Sequence, residues 1–214
     1  MSGLRGLVFD LDGVLVHTDE LHFQAWLSIA ERLGIPFTRH DNDRLRGVSR
    51  MESLDIVLSL GTFEVSATEK QVLADDKNRV YRELLDGLTP QDVTDEVRST
   101  LATLRDRGLR LAIGSSSRNA KLILDKVGLR DWFDAISDGE NITRSKPDPE
   151  VFLRAAEFLA LTPAQCAVVE DARAGVDAAV AGGFTCFGIG DAATHPRVTW
   201  SIESLSDMLD HIEN

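Results

Sequence analysis

Two carboxylates follow the first apolar stretch of the chain. Residues 7–15 read Leu-Val-Phe-Asp-Leu-Asp-Gly-Val-Leu, so Asp10 and Asp12 come at the end of a predicted strand, with Gly13 behind them. Side chains at positions i and i+2 of an extended chain project to the same side, so both carboxylates can face one small volume. If a metal ion fixes Asp10 as an ionised nucleophile while Asp12 exchanges a proton, the pair can carry out covalent phosphoryl or acyl transfer. An isolated Asp-x-Asp-Gly motif is more often a helix cap or a turn, so other residues must decide between these interpretations.

Two further polar residues are predicted close to the same place. Ser115 follows an apolar stretch, where its hydroxyl and the neighbouring backbone amides can hold a phosphoryl oxygen, or where it simply caps a helix. Lys146 precedes a proline, which disfavours helix at that point and can place the ammonium against a transferring phosphoryl group. Because the carboxyl ends of parallel strands meet at one edge of a sheet, these side chains can share a crevice with Asp10 and Asp12.

A second pair of acidic residues, Glu170 and Asp171, follows another predicted strand at 167–169. Adjacent carboxylates at the end of a buried strand are costly without a cation, although such a pair alone is also typical of a solvated turn. Together with Asp10 and Asp12 they make an all-oxygen set suited to Mg²⁺, an ion that keeps waters and accepts a phosphate oxygen. The sequence therefore predicts a Mg²⁺ site formed by these four residues.

The predicted elements change in character along the chain. The first strand is followed by three predicted helices and no strand, at 20–33, 50–60 and 66–85. The last of these begins with the capping box Ser66-x-x-Glu69. From Val93 onward helices and strands alternate. Helices are predicted at 95–106, 118–127, 149–160 with Asp148 as its N-cap, 176–181 and 202–212, and strands at 111–114, 167–169, 186–189 and 199–200.

This order of elements predicts an α/β fold with a doubly wound parallel, Rossmann-like sheet as its core and an inserted all-helical cap domain. Residues 1–16 and 91–214 are assigned to the catalytic α/β core domain. Residues 17–90 are assigned to the cap, which would lie over the strand ends and set substrate specificity.

The composition is that of an ordinary globular protein with an acidic surface. Of 214 residues, 43% are hydrophobic and 27% are charged, and 35 acidic against 23 basic residues give a net charge of −12. Such a surface repels phosphate backbones, so neither nucleic acid nor a membrane is expected as a partner. Cys166 and Cys186 form no C-x-x-C motif, which argues against a disulfide framework and a zinc site. No signal peptide or membrane-spanning run is predicted, so we expect a cytoplasmic location, and we expect a monomer.

The chain resembles the haloacid dehalogenase superfamily in the order and spacing of four motifs. These are Asp10-x-Asp12-Gly, Ser115 after an apolar strand, Lys146-Pro147 and Glu170-Asp171. The resemblance implies that Asp10 attacks a phosphate to form an aspartyl-phosphate and that Asp12 is the general acid and base. It also implies that Ser115 and Lys146 steady the transferring group and that the acidic pair helps to bind Mg²⁺. An insert after the first motif is typical of the members that carry a helical cap.

Polar residues interrupt the apolar faces of two predicted cap helices. His22 shares a stripe with Trp26 in the first helix, and Lys77 lies on the apolar stripe of the third. Both are predicted to face inward, although a first-turn histidine is often satisfied locally and a lysine can extend to water. Between them, residues 46–50 read Arg-Gly-Val-Ser-Arg, a turn whose amides and Arg50 guanidinium can grip a second phosphate.

The cap also resembles one branch of that superfamily, the β-phosphoglucomutase family. The likeness covers nearly the whole chain except its end, and rests on His-Phe-x-Ala-Trp, Gly-Val-Ser-Arg, Lys77-Asn78 and Ser117-Arg118-Asn119. It implies one set of residues for the non-reacting phosphate and another for the sugar. By this resemblance the distal phosphate is held by Arg50, Ser116, Ser117, Arg118 and Asn119, the sugar meets His22, Trp26 and Lys77, and Gly47, Val48 and Ser49 complete the substrate-binding set.

Three residues depart from the pattern of that family. Arg118 stands where the family usually has lysine, which keeps the positive charge. Ser116 replaces a common alanine and adds a hydroxyl, and His17 replaces a frequent aspartate near the predicted hinge into the cap. Because His17 lies near this hinge, we expect it to affect either the closure of the cap or the pH dependence of that closure, and the sequence leaves both alternatives open.

The resemblance implies an intramolecular phosphotransferase, formally an isomerase. It would interconvert β-D-glucose 1-phosphate and D-glucose 6-phosphate through glucose 1,6-bisphosphate. The alternative is a Mg²⁺-dependent sugar-phosphate phosphatase on the same scaffold, which needs only one phosphate site. A signalling receiver domain also phosphorylates a strand-end aspartate, but it is shorter, has no cap and needs no acid at Asp12. A mutase for another sugar phosphate stays open, since the sequence does not name the sugar, the anomer or the phosphate donor.

Overall fold

Six parallel strands form one sheet in the order β3-β2-β1-β4-β5-β6. The structure is a computed structural model that describes residues 3–62 and 64–212. The strands are β1 Gly6–Phe9, β2 Arg110–Gly114, β3 Ala135–Ser137, β4 Cys166–Glu170, β5 Thr185–Gly188 and β6 Trp200–Ser201. The predicted doubly wound parallel sheet is confirmed. β3 was not predicted from the sequence, and β4 runs one residue further than predicted, so that Glu170 is its last residue.

The strands are apolar throughout because both faces of the sheet are covered. Alternate side chains of β1 enter different hydrophobic clusters: Leu7 and Phe9 pack on one face, and Val8 packs on the other. All three are fully buried. The register of the sheet places Phe9 beside Ile113 on one side and Val169 on the other, so the carboxyl ends of β1, β2 and β4 are level.

Four α-helices follow β1 within residues 17–90, the predicted insert. They are α1 Asp19–Arg32, α2 Arg39–Asp43, α3 Arg50–Leu58 and α4 Ala67–Leu85. Only α2 was missed from the sequence, and α4 begins with the predicted capping box of Ser66 and Glu69. The insert has a hydrophobic cluster of its own, in which Trp26, Ile29 and Leu54 are buried. The boundaries of the two domains stay a prediction, and Met1, Ser2, Phe63, Glu213 and Asn214 lie outside the described residues.

The remaining helices cover the two faces of the sheet. They are α5 Asp95–Asp106, α6 Ala120–Lys126, α7 Glu150–Phe158 and α8 Arg173–Ala181. The predicted start of α7 is wrong by one position, since Pro149 is its N-cap residue and Asp148 Oδ1 accepts a hydrogen bond from the Glu150 amide at 3.0 Å. The predicted last helix is a shorter 3₁₀ helix, Leu205–Asp210. Among the described residues, no helix has both the length and the apolar character needed to span a membrane.

Candidate active site

One cavity of about 580 Å³ is lined both by the helical insert and by the loops after β1, β2 and β4. Every residue that the sequence predicts to be catalytic, substrate-binding or metal-binding lines it. These residues are Asp10, Asp12, His22, Trp26, Gly47, Val48, Ser49, Arg50, Lys77, Ser115, Ser116, Ser117, Arg118, Asn119, Lys146, Glu170 and Asp171. His17, by contrast, is exposed and lies outside this lining.

The Lys146 ammonium lies at the floor of the cavity and is 1% exposed. It donates a short hydrogen bond to Asp10 Oδ1 and a second one to Glu170 Oε1 at 3.2 Å. Its Nζ also lies 4.7 Å from the centre of the Phe152 ring. Burial alone would lower the pKa of Lys146, but the charges of Asp10 and Glu170 and the hydrogen bonds to them outweigh it, so the pKa lies above its ordinary value. Lys146 is therefore a fixed cation, suited to stabilise negative charge beside Asp10.

Three carboxylates surround that floor. Asp10, Glu170 and Asp171 each offer an oxygen, and these oxygens lie within 4.8 Å of one another. Burial raises the pKa of Glu170 well above its usual range, and burial together with the charge of Asp10 raises the pKa of Asp171 to about 7. Three oxygen donors this close together, with the charged forms of Glu170 and Asp171 disfavoured, fit a hard divalent cation, which would relieve the repulsion.

The Asp12 side chain lies outside this group of three. Its Oδ1 accepts a short hydrogen bond from the Thr18 hydroxyl, and Thr18 in turn accepts one from the Tyr81 hydroxyl at 3.1 Å. Burial, and next the charge of Asp10, raise the pKa of Asp12 to about 7. A carboxyl with that pKa can both donate and accept a proton near neutral pH. Bonding of the Asp12 side chain to a metal ion stays a prediction.

Thr18 and Tyr81 were not predicted as site residues. Thr18 is fully buried and Tyr81 is 1% exposed, and together they connect Asp12 to α4. Tyr81 lies four residues after Lys77, so the helical repeat places both on one face. This four-residue spacing from Lys77 is the sequence signal that could have identified Tyr81. No local pattern marks Thr18, because its role depends on the approach of α4 to the loop after β1.

Two glycines leave room for the acidic residues. Gly13 has a φ of +84°, and a Cβ built there would lie 2.1 Å from Asp171 Oδ2. A Cβ on Gly175 would lie 1.5 Å from Glu170 Oε1. Any side chain at these two positions would displace a carboxylate, so the glycines fix where the acidic oxygens lie.

The roof of the cavity carries the two polar cap residues. Lys77 is only 3% exposed, and its Nζ lies 2.9 Å from His22 Nδ1. The same Nζ lies 4.4 Å from the centre of the Tyr81 ring and 5.0 Å from that of Trp26. Burial, and next the charge of Arg50, lower the pKa of Lys77 to about 7. Burial and the charge of Lys77 lower the pKa of His22 well below its usual value, so the histidine is neutral. Lys77 therefore lies inside the cavity and does not extend to water.

The loop after β2 carries hydrogen-bonding groups at the other end of the cavity. The Ser117 amide donates to Ser115 Oγ at 3.2 Å, and the Asn119 amide donates to Ser117 Oγ at 3.1 Å. Arg118 Nε donates to the Gly139 carbonyl at 3.2 Å, which leaves its two terminal nitrogens for other partners. Ser116 Oγ is buried with no hydrogen-bond partner among the described residues. A buried hydroxyl of this kind is stabilised when a ligand completes its bonding.

Arg50, at the start of α3, approaches this loop from the insert. Burial, and next the positive charge of Arg118, lower the pKa of Arg50. An anion between the Arg50 and Arg118 guanidinium groups would stabilise the charged form of Arg50. The cavity therefore combines a carboxylate held by a buried cation, Asp10, and a carboxyl of raised pKa, Asp12, with the guanidinium groups of Arg50 and Arg118.

The raised pKa of Asp12 means that this residue should contribute to the stability of the protein in a pH-dependent way. A carboxyl whose pKa is higher in the folded than in the unfolded protein stabilises the fold below its unfolded pKa, and this contribution is lost as the pH rises through about 7. In the presence of a chelator, the free energy of unfolding of Asp12→Asn minus that of the wild type should therefore increase from about pH 4 to about pH 8. Urea unfolding at each pH measures it.

Asp41→Asn is the matched control for this experiment. Hydrogen bonds from the Thr38 side chain and amide lower the pKa of Asp41, so its contribution is nearly constant over the same range. A flat difference for Asp12→Asn, or an equal rise for Asp41→Asn, would contradict the prediction.

Comparison with known proteins identifies relatives over nearly the whole chain. Residues 4–183 match the family model of haloacid dehalogenase-like hydrolases. The chain is 43% identical over 207 residues to the β-phosphoglucomutase of Bacillus subtilis, covering 96% of this chain and 92% of that protein. It is 32% identical over 183 residues to the phosphorylated carbohydrates phosphatase of Thermotoga maritima, covering 84% and 82%. The crystal structure of β-phosphoglucomutase from Clostridium difficile is similar with a TM-score of 0.90 and 33% identity, covering 96% and 93%.

Proposed function

The chain belongs to the haloacid dehalogenase-like hydrolase family, and on that basis we propose that it is a mutase that interconverts β-D-glucose 1-phosphate and D-glucose 6-phosphate. The observation that carries the proposal is the pairing of two anion subsites in one cavity. Lys146 hydrogen-bonds the nucleophile Asp10, Ser115 follows β2, the strand paired with β1, and Arg50 and Arg118 interact within the same cavity. A phosphatase needs only the first subsite, whereas a sugar bisphosphate needs both.

The reaction has two half-reactions through glucose 1,6-bisphosphate. In the first, an Asp10 oxygen attacks the 1-phosphate of glucose 1,6-bisphosphate, the bond from phosphorus to the sugar O1 breaks, and the proton of Asp12 goes to O1, so that D-glucose 6-phosphate leaves. Asp10 is then an aspartyl-phosphate. In the second, the 6-hydroxyl of β-D-glucose 1-phosphate gives its proton to Asp12 and attacks the phosphoryl group, and the bond from phosphorus to the Asp10 oxygen breaks, which regenerates the Asp10 carboxylate and glucose 1,6-bisphosphate. The raised pKa of Asp12 suits a group that acts as acid and then as base.

We propose that Asp10, Glu170 and Asp171 hold Mg²⁺, with Asp12 completing the site as the family resemblance implies. When bound, the ion supplies positive charge to the transferring phosphoryl group. Lys146 donates hydrogen bonds to both Asp10 and Glu170, so it would orient Asp10 whether or not the ion is bound. His22, Trp26 and Lys77 would face the sugar from the roof, with Gly47, Val48 and Ser49 at the side.

We also propose the domain division and the cellular setting. Residues 17–90 would act as a cap over a core of residues 1–16 and 91–214, and the protein would work as a cytoplasmic monomer on a small phosphorylated sugar. The net charge of −12 supports the absence of nucleic-acid and membrane partners. Sedimentation at micromolar concentration tests the monomer.

A coupled assay tests the proposed reaction. Enzyme, Mg²⁺ and catalytic glucose 1,6-bisphosphate should convert β-D-glucose 1-phosphate to D-glucose 6-phosphate, with inorganic phosphate as a minor product, and a chelator should stop the conversion. Release of phosphate without glucose 6-phosphate would show the sugar-phosphate phosphatase instead. A panel of hexose 1-phosphates of both anomers identifies the preferred sugar.

Replacing Arg50 by alanine separates the two activities further. If Arg50 holds the distal phosphate, Arg50→Ala should lower kcat/KM for the mutase by about 10²–10³-fold, because a charged hydrogen-bonding partner of a phosphate is lost. Phosphate release should change much less, since Asp10 and Lys146 are intact. Arg44, an exposed arginine at the end of α2, is the matched control, and Arg44→Ala should leave both activities unchanged. Equal loss of both activities in Arg50→Ala would favour the phosphatase.

A further inference from the structure

A hydrogen bond between two amides joins the insert to the loop after β2. Asn119 Nδ2 donates to Asn78 Oδ1 at 2.9 Å. Asn78 lies on α4, and Asn119 is the residue that precedes α6 and is 5% exposed. The bond therefore spans the cleft between the helical insert and the sheet, at the side of the cavity where Arg118 lies.

Asn78 also lies between two cavities. It lines the 580 Å³ cavity described above, called the reaction cavity from here on. It also lines a second cavity of about 380 Å³ on the outer side of α4. That second cavity is a surface groove, whose other lining residues are Asp75, Arg79, Arg82, Glu83, Asp86 and Leu122. The Asn78–Asn119 pair is thus part of the wall that separates the reaction cavity from solvent in the groove.

Asn119 is held from both sides. Its amide nitrogen donates to Ser117 Oγ within the loop, and its side chain donates to Asn78 in the insert. A displacement of α4 away from the sheet would leave the partly buried Asn119 amide without its acceptor, which costs more than the same loss in water. The loop and the insert are therefore energetically coupled at this point.

We propose that Asn78 is a positioning residue that acts through Asn119. It holds the insert against the loop after β2 and keeps water out of the reaction cavity while the phosphoryl group is on Asp10. The inference rests on the proposed mutase function, because only a mutase must protect its aspartyl-phosphate from hydrolysis until the sugar bisphosphate is formed.

A second contact joins the end of α4 to α6 and provides a contrast. Lys126 Nζ, at the end of α6, lies 2.7 Å from Asp86 Oδ1, at the end of α4. The two side chains are 32% and 72% exposed, so solvent screens the pair and its effect on closure is small. If any contact of α4 with this part of the core were enough to exclude water, loss of either contact would increase hydrolysis equally. If the hydrogen bond at the cavity wall is required, only loss of the Asn78–Asn119 pair will increase it.

The test is the partition of phosphoryl groups between sugar and water. In Asn78→Ala the ratio of inorganic phosphate to glucose 6-phosphate formed from β-D-glucose 1-phosphate should rise about threefold to tenfold, which corresponds to the loss of one hydrogen bond. Asn78→Asp keeps an acceptor for Asn119 Nδ2 and should stay near the wild-type ratio, even if its charge raises KM for the phosphorylated sugar. Asp86→Ala should change the ratio by less than about twofold.

A double-mutant cycle separates action through Asn119 from direct contact with the sugar. If Asn78 acts through Asn119, then Asn78→Ala should have no further effect on the ratio in an Asn119→Ala background. Additive effects, an unchanged ratio in Asn78→Ala, or an equal rise in Asp86→Ala would overturn the inference. A wild-type protein that forms no glucose 6-phosphate would overturn the proposed function instead, so the two failures are distinct.

Discussion

Replacing Asp10 by asparagine should abolish phosphoryl transfer, with a fall in kcat of about 10⁴-fold or more, as expected when a catalytic nucleophile is removed. The neutral amide cannot act as the attacking anion. The fold should survive, because the asparagine oxygen can still accept a hydrogen bond from Lys146. Rapid-quench experiments with radiolabelled glucose 1,6-bisphosphate measure the phosphorylated enzyme, which should be missing in Asp10→Asn, and the mutase assay measures turnover.

Asp19 provides the matched control for this substitution. It also lines the cavity, but it forms an ion pair with Arg46 at 3.0 Å and is 36% exposed. Asp19→Asn removes one negative charge from the same cavity, and we expect it to change kcat by less than about tenfold. Labelled phosphoenzyme in Asp10→Asn would show that another residue is the nucleophile.

Replacing Lys146 by methionine should destabilise the protein and impair transfer together. The substitution keeps most of the apolar volume but removes the cation that faces Asp10 and Glu170. Loss of one partner of a buried ion pair costs about 3–5 kcal/mol, and we expect that decrease in the free energy of unfolding of the metal-free protein. Loss of a buried charge that stabilises the transferring group should lower kcat by about 10²–10³-fold. Urea unfolding and steady-state kinetics measure the two effects.

The loss of stability in Lys146→Met should depend on pH, and the direction of that dependence can be predicted. Without Lys146 the carboxyls can avoid repulsion only by taking up protons, so destabilisation should be smaller at low pH, where they are protonated, and larger at high pH. Lys70→Met is the control, because Lys70 pairs with Asp55 at 2.5 Å but is 34% exposed. We expect that change to cost at most about 1 kcal/mol. A cost for Lys146→Met that is equally small would mean that Asp10 and Glu170 need no counter-charge.

Several residues that line the cavity were predictable because they lie at the ends of strands. Asp10, Ser115 and Glu170 follow or end β1, β2 and β4, and apolar runs announce these strands. Once the fold class was known, parallel strands brought these residues to one edge. The contacts of Lys146 were not predictable in the same way, because the choice of Glu170 as its partner depends on β4 lying next to β1.

Short elements and contacts between distant parts were missed. The helix α2 has five residues and β3 has three, too few for a periodic pattern to appear. The Thr18–Tyr81 and Asn78–Asn119 hydrogen bonds join positions far apart in the chain, and no local pattern specifies them. The final segment has helical periodicity, yet Ser204 and Asp207 form a capping box that begins only a 3₁₀ helix.

The position of β1 in the sheet has a consequence for synthesis of the protein. This strand is the first to leave the ribosome, yet its neighbours are β2, which begins at Arg110, and β4, which begins at Cys166. Both edges of β1 therefore lack partners while the insert, with its own apolar cluster, is being completed. Contacts of such large sequence separation form slowly. Nascent chains that stall before residue 166 should thus expose an apolar strand edge, and Asp10 can meet Glu170 and Asp171 only after β4 has been synthesised.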